Sequence, residues 1–189
     1  MQKQEIRKTM KELKSRLTKE EQKVYSSIIA DRLLKLPEYR QCGQIFCYVS
    51  FNQEVITTTL IEKALFQQQK VAVPKITGKG MQFFYIRSLK DLEPGILGIP
   101  EPVTEEEALP DITKDNLILV PGLAFDPHGI RIGYGKGYYD NFFRKYGNLS
   151  LVKIALAYDF QVLPELPEEE HDIRVDQIIT QRGIIKSNI

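Results

Sequence analysis

The chain has 189 residues, room for a single domain over 1–189 with a sizeable core, and 42% of it is apolar and 10% aromatic. Its 26 basic and 25 acidic residues leave a net charge of +1, so the balance gives no case for nucleic acid, and no apolar run approaches membrane-spanning length. Cys42 and Cys47 read as small apolar fillers, and with only His128 and His171 beside them a disulfide framework or a structural zinc site is not expected. The amino terminus, MQKQEIRKTMKELKSRL, has no apolar signal-peptide core, so a cytoplasmic α/β protein is the expected class.

Residues 2–17 form an amphipathic helix pattern, with Ile6, Met10, Leu13 and Leu17 at i, i+4, i+7 and i+11. Its basic residues, Lys8, Lys11, Lys14 and Arg16 among them, read as a solvated face. Lys3 and Arg7 stand apart, because i, i+4 spacing puts both heads on one side, where they could close over an anion. Thr18 followed by Glu21 is a capping box, so a second helix starts there and runs to Leu36, with Pro37 as its stop.

A first strand follows at Gln44–Tyr48 and extends to Val49. The polar loop Ser50–Glu54 comes next, then a third helix over Ile56–Gln68. Strand, loop, helix is the place where α/β sheets bind ligands, so Glu54 is either a ligand-holding carboxylate or an acid stabilising a helix N-terminus. Lys70–Ile76 and Met81–Arg87, joined by the turn Thr77-Gly78-Lys79-Gly80, read as a hairpin. Leu97–Pro102 reads as a proline-stiffened extended segment, and 103–115 as a solvated acidic linker.

The apolar run Leu117–Val120 is a buried strand ended by Pro121-Gly122, and Tyr138–Tyr146 has helical aromatic spacing. Between them lie Gly122, Gly129, Gly133, Gly135 and Gly137, with Arg131 and Lys136. A glycine-rich loop leading into a helix presents N–H groups to an anion, usually a phosphate. It is not a P-loop, since Ile130 and Gly137 stand where Gly and Ser/Thr are required, and G-x-G-x-G is not the dinucleotide fingerprint. Further strands are expected at Leu151–Tyr158 and Ile173–Thr180, the latter with Asp176 near its start. Asp140 and Asp176 supply carboxylates of the kind that hold Mg²⁺. Phosphoryl transfer demands mainly positioning and charge neutralisation, so ATP-dependent chemistry leads the classes open to this loop. A nucleotide-binding regulatory protein and a sugar-phosphate isomerase-like enzyme are the other two.

The stretch VPGLAFDPHGIRIGYGKGYYD, with Lys3-x-x-x-Arg7 and the post-strand Glu54, resembles 5-formyltetrahydrofolate cyclo-ligases (5,10-methenyltetrahydrofolate synthetases) over essentially the whole chain. The resemblance implies a three-layer α/β sandwich around a mostly parallel, Rossmann-like sheet with an added β-hairpin. It implies conversion of 5-formyltetrahydrofolate and ATP to 5,10-methenyltetrahydrofolate, ADP and phosphate, with Mg²⁺. Carried over by position, Lys3 and Arg7 match an ATP-binding pair. Arg131, Ile132, Gly133, Tyr134, Gly135, Lys136, Gly137, Tyr138 and Tyr139 match the nucleotide loop, with Lys136 on the phosphates. Tyr134 to Tyr138 also face the folate, Val49 and Glu54 match pterin-side contacts, and Asp140 and Asp176 match the metal positions. Lys136, Arg7 and Tyr138 are the residues implied closest to the chemistry, with the basic first helix closing over ATP. The family places varied residues, often basic or aromatic, at the position of Tyr134. A monomer is expected, because no long apolar stripe is left over, with small-molecule substrates and no nucleic-acid or membrane partner.

Overall fold

The computed structural model describes residues 2–78, 80–95 and 98–187, so Lys79 of the expected turn and Leu97 of the expected extended segment lie outside the described residues. Helix α1 is Lys3–Ser15, and α2, Lys19–Leu33, begins at the Thr18–Glu21 capping box with both reciprocal bonds made. Pro37 does not simply stop that helix. It opens a short one, α3 (Pro37–Gln41), at the first position, where its missing N–H has no partner to lose.

Strand β1 is Gln44–Cys47, and α4 is Thr58–Phe66. Strands β2 (Lys70–Thr77) and β3 (Gly80–Ile86) form the expected antiparallel hairpin. Strands β4 (Leu92–Pro94) and β5 (Pro100–Pro102) pair beside it. The acidic segment is more than a linker: β6, Glu107–Ala108, adds to the edge of β3 and buries Ala108 opposite Phe83. Strand β7 is Asn116–Val120, buried at every residue, as a strand covered on both faces must be.

The glycine-rich stretch is likewise not one loop. Its first half is a hairpin, β8 (Ala124–Phe125) against β9 (Arg131–Ile132), whose turn passes through Gly129. Helix α5, Tyr138–Tyr146, follows, then β10 (Leu151–Leu156), β11 (Gln177–Ile179) and β12 (Ile184–Lys186). Asp176 sits immediately before β11.

Eight strands make one sheet in the order β12-β11-β10-β7-β1-β2-β3-β6. The five from β11 to β2 are parallel and the outer three are antiparallel. Numbered by rank, the parallel strands run 2-1-3-4-5, which puts the topological switch point between β1 and β7. On one face α2, α3 and α4 pack Leu33, Tyr39 and Ile61 onto Ile45, Val71, Leu117 and Ile154. On the other, Phe142 and Phe143 of α5 pack onto Phe46, Ile118 and Ala155, and Phe83 meets the Phe142 ring edge-on. These are the three layers expected. A third cluster is separate: Ile6 and Met10 of α1 pack on Leu123, Ala124, Ile130 and Ile132 of the β8–β9 hairpin and on Leu166. Among the described residues no helix is long and apolar enough to cross a membrane.

Candidate active site

The switch point between β1 and β7 gathers most of the expected residues at the carboxyl edge of the sheet. From β1 the chain continues through Val49, which is buried, into the turn holding Glu54. Val49 also lines a cleft of about 280 Å³ with Thr58, Leu89, Leu92, Pro94 and Pro100. From β7 it runs through the β8–β9 hairpin to the exposed segment Gly135-Lys136-Gly137 and into α5.

Gly137 is the N-cap of α5, with φ 67° and no side chain to cap the first turn. The leading N–H groups of the helix therefore face outward without a side-chain acceptor, and the macrodipole favours an anion there. Two buried donors belong to the same neighbourhood. The Arg131 Nε and the Tyr139 hydroxyl are both buried without a hydrogen-bond partner, and the Arg131 guanidinium lies 5.7 Å from the centre of the Tyr139 ring. Burial also drives the Tyr139 hydroxyl pKa well up, so it remains a proton donor. Unpaired buried donors cost free energy. Lys136 is exposed and, among the described residues, makes no ion pair. Tyr138, half-buried, heads the helix beside it.

Helix α1 lies across this loop. The Arg7 Nε–H donates to the Gly133 carbonyl at 3.0 Å, which brings its guanidinium to the glycine-rich loop. Lys3 is held differently: its ammonium bonds Asp172 at 2.7 Å and Glu169 at 3.2 Å. In this state the expected pair is split, with Arg7 on the loop and Lys3 engaged by two carboxylates.

Tyr134 and Glu54, distant in sequence, meet directly, the Tyr134 hydroxyl donating to Glu54 Oε1 at 2.8 Å. The other Glu54 oxygen accepts from the Phe51 N–H at 2.9 Å. Burial raises the Glu54 pKa above 4.5, against the opposing pull of Lys14, the Phe51 N–H and Tyr134. Lys14 was missed by sequence reasoning, which grouped it with the solvated lysines. Its side chain is 6% exposed, and its ammonium reaches the Tyr134 hydroxyl at 3.3 Å. The signal was available, since Lys3, Arg7 and Lys14 share a helical stripe at i, i+4 and i+11.

Asp140 and Asp176 are not brought together. Asp140 accepts from the Arg131 guanidinium at 2.8 Å at the head of α5. Asp176 accepts from the Lys153 N–H at 2.6 Å and pairs with the Lys153 ammonium at 3.0 Å. Because Gln177 is in register with Ile154, Asp176 lies level with Lys153, toward the amino end of β10 and away from the ligand edge. Each carboxylate is taken by its own cation, so this arrangement does not fit a shared magnesium site. Among the described residues, the one cluster of three or more metal-type ligands is Glu169, His171 and Asp172, which already holds Lys3.

Comparison with known proteins agrees with this geometry. Residues 1–181 match the 5-formyltetrahydrofolate cyclo-ligase family. A 5,10-methenyltetrahydrofolate synthetase structure from Aquifex aeolicus superposes with a TM-score of 0.87 at 33% identity, covering 100% of this chain and 94% of that one. A probable 5-formyltetrahydrofolate cyclo-ligase from Caenorhabditis elegans is 31% identical over 94% of this chain and 91% of its own length. A 5-formyltetrahydrofolate cyclo-ligase from Haemophilus influenzae is 28% identical over 93% and 96%. With matches that span nearly the whole chain and a sheet whose switch point carries the expected loop, the protein belongs to the 5-formyltetrahydrofolate cyclo-ligase family of enzymes.

Proposed function

We propose that this enzyme converts 5-formyltetrahydrofolate to 5,10-methenyltetrahydrofolate with hydrolysis of ATP to ADP and phosphate. The observation that carries the reading is the open head of α5, where Gly137 leaves the first turn uncapped and Arg131 and Tyr139 offer unpartnered buried donors. It stands beside the Glu54–Tyr134 hydrogen bond across the same switch point. One side suits a triphosphate, the other a substrate with N–H donors.

The chemistry explains why two such sides are needed. A formamide carbonyl is a poor electrophile, and its oxygen is a poor leaving group. Phosphorylation of the formyl oxygen gives an iminium-like phosphate ester. N10 of the same folate attacks its carbon and releases its proton to solvent, the C–O bond breaks, and phosphate departs. N5 and N10 belong to one molecule, so the substrate supplies its own proximity. The chain's residues align the γ-phosphate with the formyl oxygen, spread its charge over Lys136, Arg7 and the α5 N–H groups, and keep water out. Lys3, once released from Asp172 and Glu169, reaches the same nucleotide from α1. Tyr138 stands between the two ligands, and Val49 and Glu54 hold the pterin side. Magnesium accompanies the triphosphate in this reading. Because Asp140 and Asp176 do not form a joint site, no step here runs through the metal.

The test is an absorbance assay for the methenyl product with 5-formyltetrahydrofolate and Mg²⁺, run with and without ATP. Product that forms only with ATP supports the reading. Product without ATP, or none with ATP while ATP still protects against thermal unfolding, overturns it.

A further inference from the structure

Lys14 is a buried cation with an unusual partner. Among the described residues it has no carboxylate within ion-pair distance, and its ammonium is spent on a neutral hydroxyl, that of Tyr134 at 3.3 Å. Burial lowers its pKa from 10.5, and only the more distant Glu54 charge opposes that. An amine desolvated at this cost, with no direct counter-ion, is kept where the field it creates is used. Three groups on three separate segments form one chain: the Lys14 ammonium on α1, the Tyr134 hydroxyl on the nucleotide loop, and the Glu54 carboxylate after β1.

The direction of this chain is fixed by donor chemistry. An ammonium only donates, so the Tyr134 oxygen accepts from it, and the Tyr134 proton is left to Glu54. Without Lys14 the hydroxyl could turn and accept from elsewhere. With it, Glu54 accepts from the Tyr134 hydroxyl and the Phe51 N–H in a fixed orientation, and its remaining lone pairs are left for a further donor. The aminopyrimidinone of a folate offers adjacent N–H donors, the natural complement of an oriented carboxylate.

We propose that Lys14 is a positioning residue for the folate side of the reaction, acting through the Tyr134 hydroxyl to orient the Glu54 carboxylate toward the substrate's pterin N–H groups. This rests on the reading of Glu54 as a folate contact given above. It makes the first helix a contributor to both ligands, with Arg7 on the nucleotide loop and Lys14 on the folate recess.

Steady-state kinetics of the full-length enzyme, with each substrate varied separately, test it. Lys14→Met should raise KM for 5-formyltetrahydrofolate about tenfold, roughly one charge-assisted hydrogen bond, with KM for ATP and kcat within about twofold of the parent. Tyr134→Phe should raise KM for 5-formyltetrahydrofolate by a similar factor, and it keeps the test open if Lys14→Met does not fold. Lys14→Met in the Tyr134→Phe background should cost nothing further, because the chain is already broken, and Lys14→Arg should lose less than Lys14→Met. A purely structural Lys14 would instead lower the melting temperature and degrade both KM values and kcat together, which overturns the proposal. Glu54→Gln separates the two inferences. If it leaves KM for folate unchanged, the folate reading of Glu54 fails and takes this proposal with it. If it raises KM while Lys14→Met and Tyr134→Phe do not, only the positioning role is lost.

Discussion

The Arg131–Asp140 pair offers the most direct measurement of how the head of α5 is held. The two side chains are 6% and 18% exposed, and they meet at 2.8 Å. Replacing Arg131 by Met keeps much of the volume but leaves the Asp140 carboxylate part-buried without its cation. Breaking a buried pair in this way costs about 3–5 kcal/mol, a large fraction of the roughly 5–15 kcal/mol that holds a domain together. For a chain of this size each kcal/mol moves the midpoint by about 2–4 °C, so a fall on the order of 10 °C is expected by calorimetry or by circular dichroism. Adding Asp140→Leu should recover most of that loss, because the stranded charge is gone. Glu168→Gln supplies the control. It breaks a bidentate pair with Arg174 whose side chains are 43% and 35% exposed, and it should leave the midpoint in place. A fall of less than about 1 kcal/mol for Arg131→Met, or a double variant as unstable as the sum of the singles, would refute the claim that this pair is buried in the energetic sense.

Other outcomes follow from the same geometry. Lys136→Ala should reduce kcat by about 10²-fold with a smaller effect on KM for ATP, since the charge it meets peaks during transfer; unchanged turnover removes it from the chemistry. Affinity for the folate should fall as pH drops through the raised pKa of Glu54, and that loss should begin above 4.5, earlier than for an ordinary carboxylate. In Glu54→Gln the pH profile of folate binding should flatten, which titration calorimetry across pH 4.5 to 7 can read. Gly137→Ala meets open space and pays only for φ 67°, about 1 kcal/mol. Gly129→Ala has φ 84° and would place its methyl 2.4 Å from the Val175 carbonyl, so only that variant should fail to accumulate as folded protein in a soluble-expression assay.

Much of the layer structure was legible because its signals are long or chemically specific. The Thr18–Glu21 box placed the start of α2, and the β-branched run 117–120 gave β7. The Lys3–Arg7 spacing marked α1 as a helix with a basic side, and of the two it is Arg7 that meets the glycine-rich loop. What escaped was short or depended on partners far away in the chain. Strands β6, β8 and β9 have two residues each, too few for a period, and they exist because β3 offers β6 a partner and β8 and β9 offer one to each other. Pro37 was read as a stop because a proline ends one helix by the same geometry that begins another. Lys14 looked solvated because its burial comes from the loop at Tyr134, 120 positions away in the chain. Asp176 lies close to the expected strand start, but the strand register that sets it beside Lys153 cannot be read from an isolated Arg-Val-Asp.

The third apolar cluster carries a consequence for cooperativity. Ile6 and Met10 cluster with the hairpin and Leu166, and among the described residues Phe160 alone packs on both this cluster and one face of the sheet. The first helix and the glycine-rich loop are therefore expected to open at a lower free energy than the sheet. Binding at the head of α5 would be paid back as stability in those segments alone. Amide hydrogen exchange at Ile6, Met10 and Ile132 should slow in proportion to nucleotide occupancy, while Phe46 and Ile118 exchange at a rate the ligand does not change.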